Sequence, residues 1–160
     1  MHKQRVEARF GCPMSAVFDA VARELGAGRW CAADETVPLL PRTGLRFGYR
    51  HDRRLYCGEV LECLRPVSIV IVERYRGPAG SIAARQRWRV DSLDSETLLT
   101  GELRFEPNRF ARLQLRFWKS YFASRARRTC SRVQTRLRAE AAEPLPLSRA
   151  GPGPGDFKAE

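Results

Sequence analysis

A glutamate interrupts the most apolar stretch of the chain. In Val67 to Tyr75 (VSIVIVERY), Ile69, Ile71 and Glu73 share one parity, so an alternating strand aims all three at the same face. A carboxylate buried there without a partner would have a raised pKa and could serve as a general acid or base. Placed instead at the strand end, solvated or paired with an arginine such as Arg125, it would be an ordinary structural charge. Tyr49, Glu73, Gln86, Gln114 and Arg125 are the polar residues whose positions suit an otherwise apolar pocket, and Glu73, Tyr49 and Arg125 are the candidates for proton transfer. The apolar lining follows from the same parity argument: Phe47, Ile69, Ile71, Trp88, Leu99 and Leu103 from strands, and Phe117, Trp118 and Tyr121 from a helix.

Other chemistries find little in the sequence. His51 stands beside Asp52 in a predicted turn, no serine lies in a GxSxG context, and no Gly-rich loop precedes a helix as a phosphate cradle requires. Five cysteines without a CxxC pair and only two histidines give no zinc spacing. No metal or cofactor is expected. Cys57 and Cys63 share a parity and are read as lining one strand face, too far apart to bridge.

The elements that must position these residues read as follows. Lys3 to Phe10 alternates as a strand, and Cys12-Pro13 opens a short amphipathic helix carrying Met14, Val17, Phe18, Val21, Ala22 and Leu25 up to Gly26. Residues 26 to 42 form a linker bearing Trp30, read either as a plug for one end of the core or as part of a pocket wall. A meander of five strands follows: Leu45 to Arg50, Arg54 to Leu64, Val67 to Tyr75, Ile82 to Val90 and Thr97 to Phe105, with Asp91 to Glu96 as the last turn. One face of this sheet is apolar and the other charged, the pattern of an antiparallel sheet covered on one side.

The cover is one long helix predicted over Pro107 to Ala142, with Asn108 as N-cap and no internal Gly or Pro. Its main stripe is Ala111, Leu115, Trp118, Phe122, Ala126, Thr129, Val133 and Leu137. A second stripe, Phe110, Leu113, Phe117 and Tyr121, gives way to Arg125, Arg128, Arg132 and Arg136. After Ala142 the Pro/Gly-rich residues 143–160 are predicted to be a disordered tail, leaving 1–142 as one domain.

The net charge is +11, carried almost wholly by arginine. Three readings of the basic helix face are open: pairing with acids on a solvated surface, an anionic head group or membrane surface, or RNA. Nucleic acid is disfavoured because the stacking aromatics it needs are predicted inward. The N-terminus lacks an apolar h-region and the longest apolar run, near Val67 to Val72, falls short of the ~20 residues of a membrane span. A reduced, cytoplasmic protein is expected.

The order strand, Pro-started helix, Trp-bearing linker, five antiparallel strands and long helix resembles the START/Bet v 1-like helix-grip superfamily (SRPBCC), which includes polyketide cyclase/dehydrase and lipid-transport proteins. The resemblance is carried by CPMSAVFDAVAREL, Gly58-Glu59-Val60 with Arg65-Pro66, RQRWRV, and TLLTGELRFEP leading to Phe117-Trp118, and covers about residues 3–140. It implies an α+β fold, a curved antiparallel sheet wrapped around a long C-terminal helix with a hydrophobic cavity between them. It also implies binding of a lipid, isoprenoid, polyketide or other apolar molecule, with an aromatase/cyclase-type enzyme or a membrane-associated lipid carrier as alternatives. The superfamily has no shared catalytic motif, so no reaction is implied.

Overall fold

The computed structural model describes residues 2–26, 41–51, 54–77, 80–107 and 115–142, with only the backbone described at 49–51, 54–55, 76–77, 80, 107 and 115. Trp30, Asn108, Phe110, Ala111, Leu113, Gln114 and the predicted tail fall outside the described residues. The elements are β1 (His2–Phe10), α1 (Met14–Gly26), β2 (Arg46–His51), β3 (Arg54–Leu64), β4 (Ser68–Gly77), β5 (Gly80–Leu93), β6 (Glu96–Pro107) and α2 (Leu115–Ala142). The six strands form one antiparallel sheet, curved and unclosed, in the order β1-β6-β5-β4-β3-β2. The chain is therefore α+β: a meander of five strands plus β1, which returns to pair with β6.

Alternation accounts for the strands and their register. Trp88 lies opposite Gly101 and Phe47 opposite Gly58, so each large ring is matched to a glycine. A β-carbon at Gly101 would lie 2.6 Å from the Trp88 ring. The β5–β6 hairpin is tighter than the Asp91 to Glu96 turn read from sequence. Leu93 pairs with Glu96, and Asp94 takes a positive φ of 43°, which a two-residue hairpin turn demands and aspartate tolerates. His51 ends β2 rather than sitting in a turn.

The parity of β3 changes along its length. The register shifts between Val60 and Glu62, and this bulge places one extra residue, Leu61, between them. Cys57 is consequently exposed, whereas Cys63 packs against the core with its thiol 3.2 Å from the Pro41 carbonyl. The two cysteines thus point to opposite faces, correcting the shared face expected from simple alternation.

In α1 the Pro13 carbonyl accepts from the Ala16 and Val17 amides, so Pro13 stands just before the helix rather than at its first residue. Val17, Phe18, Val21 and Leu25 are buried, each contributing roughly 1.5–3 kcal/mol by leaving water. Arg65 reaches Asp19 at 2.5 Å, tying the β3–β4 turn, with its cis Arg65-Pro66 bond, to this helix. Arg136–Glu24 and Arg23–Glu140 pairs at 3.0 and 3.1 Å join α1 to the C-terminal half of α2.

Pro107 belongs to β6, not to the long helix. The sheet hydrogen bonding continues to the Ile82↔Pro107 register pair, and the described helix starts at Leu115. Within it Trp118, Phe122, Ala126 and Val133 are buried, a three-four spacing that lays one stripe on the concave face of the sheet. Arg116, Phe117, Lys119 and Ser120 are exposed, so the first turns are less enclosed than a helix apolar over most of its circumference would be. Among the described residues no helix is long and apolar enough to cross a membrane.

Candidate functional site

The core divides into two clusters. One, beside α1, gathers Phe10, Val17, Phe18, Val21, Ile69, Ile71, Trp88, Leu99 and Val133. The other, toward the start of α2, is aromatic: Tyr56, Tyr75, Phe105, Trp118 and Phe122, with Tyr121 packed on it. Between them sits a polar group centred on Glu73, which is fully buried.

Local sequence explains how the group assembles. Glu73 and Tyr75 are two apart on β4 and so share a face, as do Gln86 and Trp88 on β5. Glu73 pairs in register with Gly58 on one side and Ala84 on the other. The Gly58 side is filled by the Phe47 ring, while the small Ala84 leaves room for a side chain descending from α2. Arg125, one turn beyond Phe122, occupies that direction.

The hydrogen bonds form a connected set. Arg125 Nη2 donates to Glu73 Oε1 at 3.0 Å, Gln86 Nε2 donates to Glu73 Oε2 at 2.6 Å, and Trp88 Nε1 donates to Gln86 Oε1 at 3.4 Å. The Tyr75 hydroxyl donates to Glu73 Oε2 and accepts from Arg125 Nη1. The Arg125 guanidinium carbon also lies 5.7 Å from the centre of the Tyr75 ring. A buried carboxylate is tolerable because these charge-assisted bonds replace water. Arg125, at 15% side-chain exposure, connects the group toward the surface.

Of the residues singled out from sequence, Glu73, Gln86 and Arg125 meet here, with Phe47, Ile71 and Trp88 around them. Leu103 and Trp118 lie in the aromatic cluster, and Leu99 lies with the α1-side core. Glu73 is in the middle of β4 and paired, not solvated at the strand's end. Phe117 is 50% exposed and stacks on Tyr121 with ring centroids 6.2 Å apart, so it stands at the rim instead of lining an interior. Gln114 is outside the described residues, and the Tyr49 side chain is likewise not described. The alternation of Val67 to Tyr75 ends at Tyr75 and does not single it out as a site residue, although it shares the parity of Ile69, Ile71 and Glu73.

Trp118 adds an unmatched donor. It is 8% exposed, yet among the described residues its Nε1 meets no acceptor. Its ring lies among Tyr75, Tyr121 and Phe122, at centroid distances of 6.3, 5.9 and 6.0 Å. Gln4, Gln86, Trp88, Leu103 and Ala126 border a cleft of about 10 Å³, room for about one water. No three metal-ligating side chains come together among the described residues.

No protein-family profile and no curated protein sequence matches the chain. Solved structures do. A conserved protein from Geobacillus kaustophilus superposes with a TM-score of 0.64 at 11% identity, covering 87% of this chain and 97% of the other. Protein Ms6760 from Mycobacterium smegmatis gives 0.59 at 17% identity, covering 86% and 92%. DynU16, a protein of the dynemicin biosynthetic locus, gives 0.54 at 17% identity over 86% of this chain. The chain spans about half of that protein, 48% of its length. At these identities the likeness concerns the fold alone, an antiparallel sheet with a C-terminal helix of helix-grip type.

Proposed function

We propose that the protein binds an apolar or amphipathic small molecule, of lipid, isoprenoid or polyketide character, at the aromatic end of the interface between sheet and α2. The observation that carries this reading is the buried Nε1 of Trp118, which has no acceptor among the described residues. An unpaired buried donor costs about 1–3 kcal/mol, and a ligand carbonyl, hydroxyl or carboxylate would satisfy it. The surrounding rings supply the apolar contact such a site needs, and the Glu73–Tyr75–Arg125 group lies behind them as its polar end. Half-exposed Phe117 and partly buried Tyr121 mark the side from which a ligand would enter. The resemblance to the START/Bet v 1-like superfamily points the same way.

Native mass spectrometry of the purified protein, with extraction of whatever copurifies, tests this. A bound apolar species, with Trp118→Phe weakening its retention by a few-fold through loss of one hydrogen bond, is the expected result. A protein that carries nothing and does not take up the apolar dye anilinonaphthalene sulfonate would overturn it.

A second reading, an aromatase/cyclase-type enzyme, is favoured by one observation. The Tyr75 hydroxyl is held between a carboxylate and a guanidinium, an arrangement suited to passing a proton to a bound substrate. Tyr75 thereby joins Glu73, Arg125 and Tyr49 as a candidate for proton transfer. Tyr75→Phe would then abolish turnover of a captured ligand while leaving its binding largely intact.

A further inference from the structure

We propose that the outer face of the sheet, on the side away from α2, carries a phosphoanion site formed by Arg85, Arg87 and Arg104. The register opposes like charges there. Arg104 on β6 faces Arg85 on β5 and, on its other side, Lys3 on β1. Directly opposed cations on a sheet are destabilising, and the three arginines share a single lining acid, Glu102, which faces Arg87 in register. The acid within it, Glu102, is already shared by Lys3 at 3.1 Å and Arg104 at 3.5 Å, and the Lys3 hydrogen bond holds its carboxyl below the usual range. Glu7 is engaged by Arg5 at 2.5 Å.

On β4 the residues facing Arg85 and Arg87 are Val72 and Val70, which offer no counter-charge. Among the described residues Arg85 and Arg87 have no ion-pair partner. Their side chains, with those of Glu102 and Arg104, enclose a depression of about 80 Å³. That space suits a single tetrahedral oxyanion, whose oxygens match the forked donors of several guanidinium groups. The described residues of this face include no aromatic ring, so stacking of nucleic-acid bases is not available to it. Lying on the opposite side of the sheet, the site does not depend on the ligand reading above.

Two probes separate the sources of such a group: inorganic phosphate in a calorimetric titration, and sedimentation with phosphatidylcholine vesicles with and without phosphatidylglycerol. Saturable binding of inorganic phosphate assigns the site to a soluble phosphoanion. Sedimentation only with phosphatidylglycerol assigns it to a lipid head group. In either case R85Q/R104Q should weaken binding about ten- to hundredfold for each charge-assisted bond lost, and R127Q/R132Q, which removes two exposed charges from α2, should bind as the wild type does. R85Q/R104Q should also unfold no earlier than wild type, since it relieves a like-charge pair. Binding of neither probe, or equal weakening by both charge variants, overturns the proposal.

Discussion

The guanidinium of Arg125 reaches 3.0 Å from the carboxylate of Glu73 across the interface between α2 and β4, and the carboxylate is wholly out of water. This contact joins the two residues that the sequence marked as most out of place, an acid in an apolar strand and an arginine where an aromatic stripe ends. It pins the rotation of α2 over the sheet at the boundary between the two core clusters.

Removing one partner leaves the other charge buried and uncompensated. Arg125→Met should destabilise the fold by about 3–5 kcal/mol, whereas Glu73→Leu combined with Arg125→Met should cost much less than the two single changes added. Urea denaturation of the three variants measures the coupling. An Arg125→Met protein as stable as wild type would show that the pair contributes nothing.

The ring of Trp88 lies over Gly101, where an added β-carbon would come within 2.6 Å. Gly101→Ala must therefore push the indole aside and disturb its bond to Gln86. A loss of about 1–3 kcal/mol is expected from such overpacking, read as a lower thermal midpoint together with a shift in tryptophan emission. Unchanged emission would mean that the ring has room the geometry does not indicate.

Burial pushes the Cys130 thiol up to about 11 from its ordinary 9.0. Folding thus favours the neutral thiol. The stability this contributes is intact below about pH 9 and lost as pH rises toward about 11, because the unfolded chain releases its proton first. Cys130→Ala should flatten the fall of stability over that window. Thiol titration at neutral pH should label exposed Cys57 before Cys130, and equal rates would contradict the burial of Cys130.

Much of this protein is legible from its chain. Periods of two and of three to four residues located β1, α1, the meander and the packed seam of α2, because those periods are set by backbone geometry and survive any packing. They also placed Glu73, Gln86 and Trp88 on the covered face and named Arg125 as a partner for Glu73. Where a local irregularity intervenes, the parity rule fails without leaving a mark. The bulge at Leu61 turned Cys57 and Cys63 to opposite faces, and the ladder to β5 holds Pro107 in a strand although the sequence offers Asn108 beside it as an N-cap.

What required the tertiary structure was which groups share a hydrogen bond. Tyr75 closes between Glu73 and Arg125 only because α2 crosses β4 at that level, and among the described residues Trp118 has no acceptor because the side chains packed on it are rings. Arg85 and Arg104 stand opposed because of the β5–β6 register, a choice made by hairpin geometry at Asp94. Spacing along a chain specifies faces, whereas pairing across elements depends on distances that only the assembled layers define.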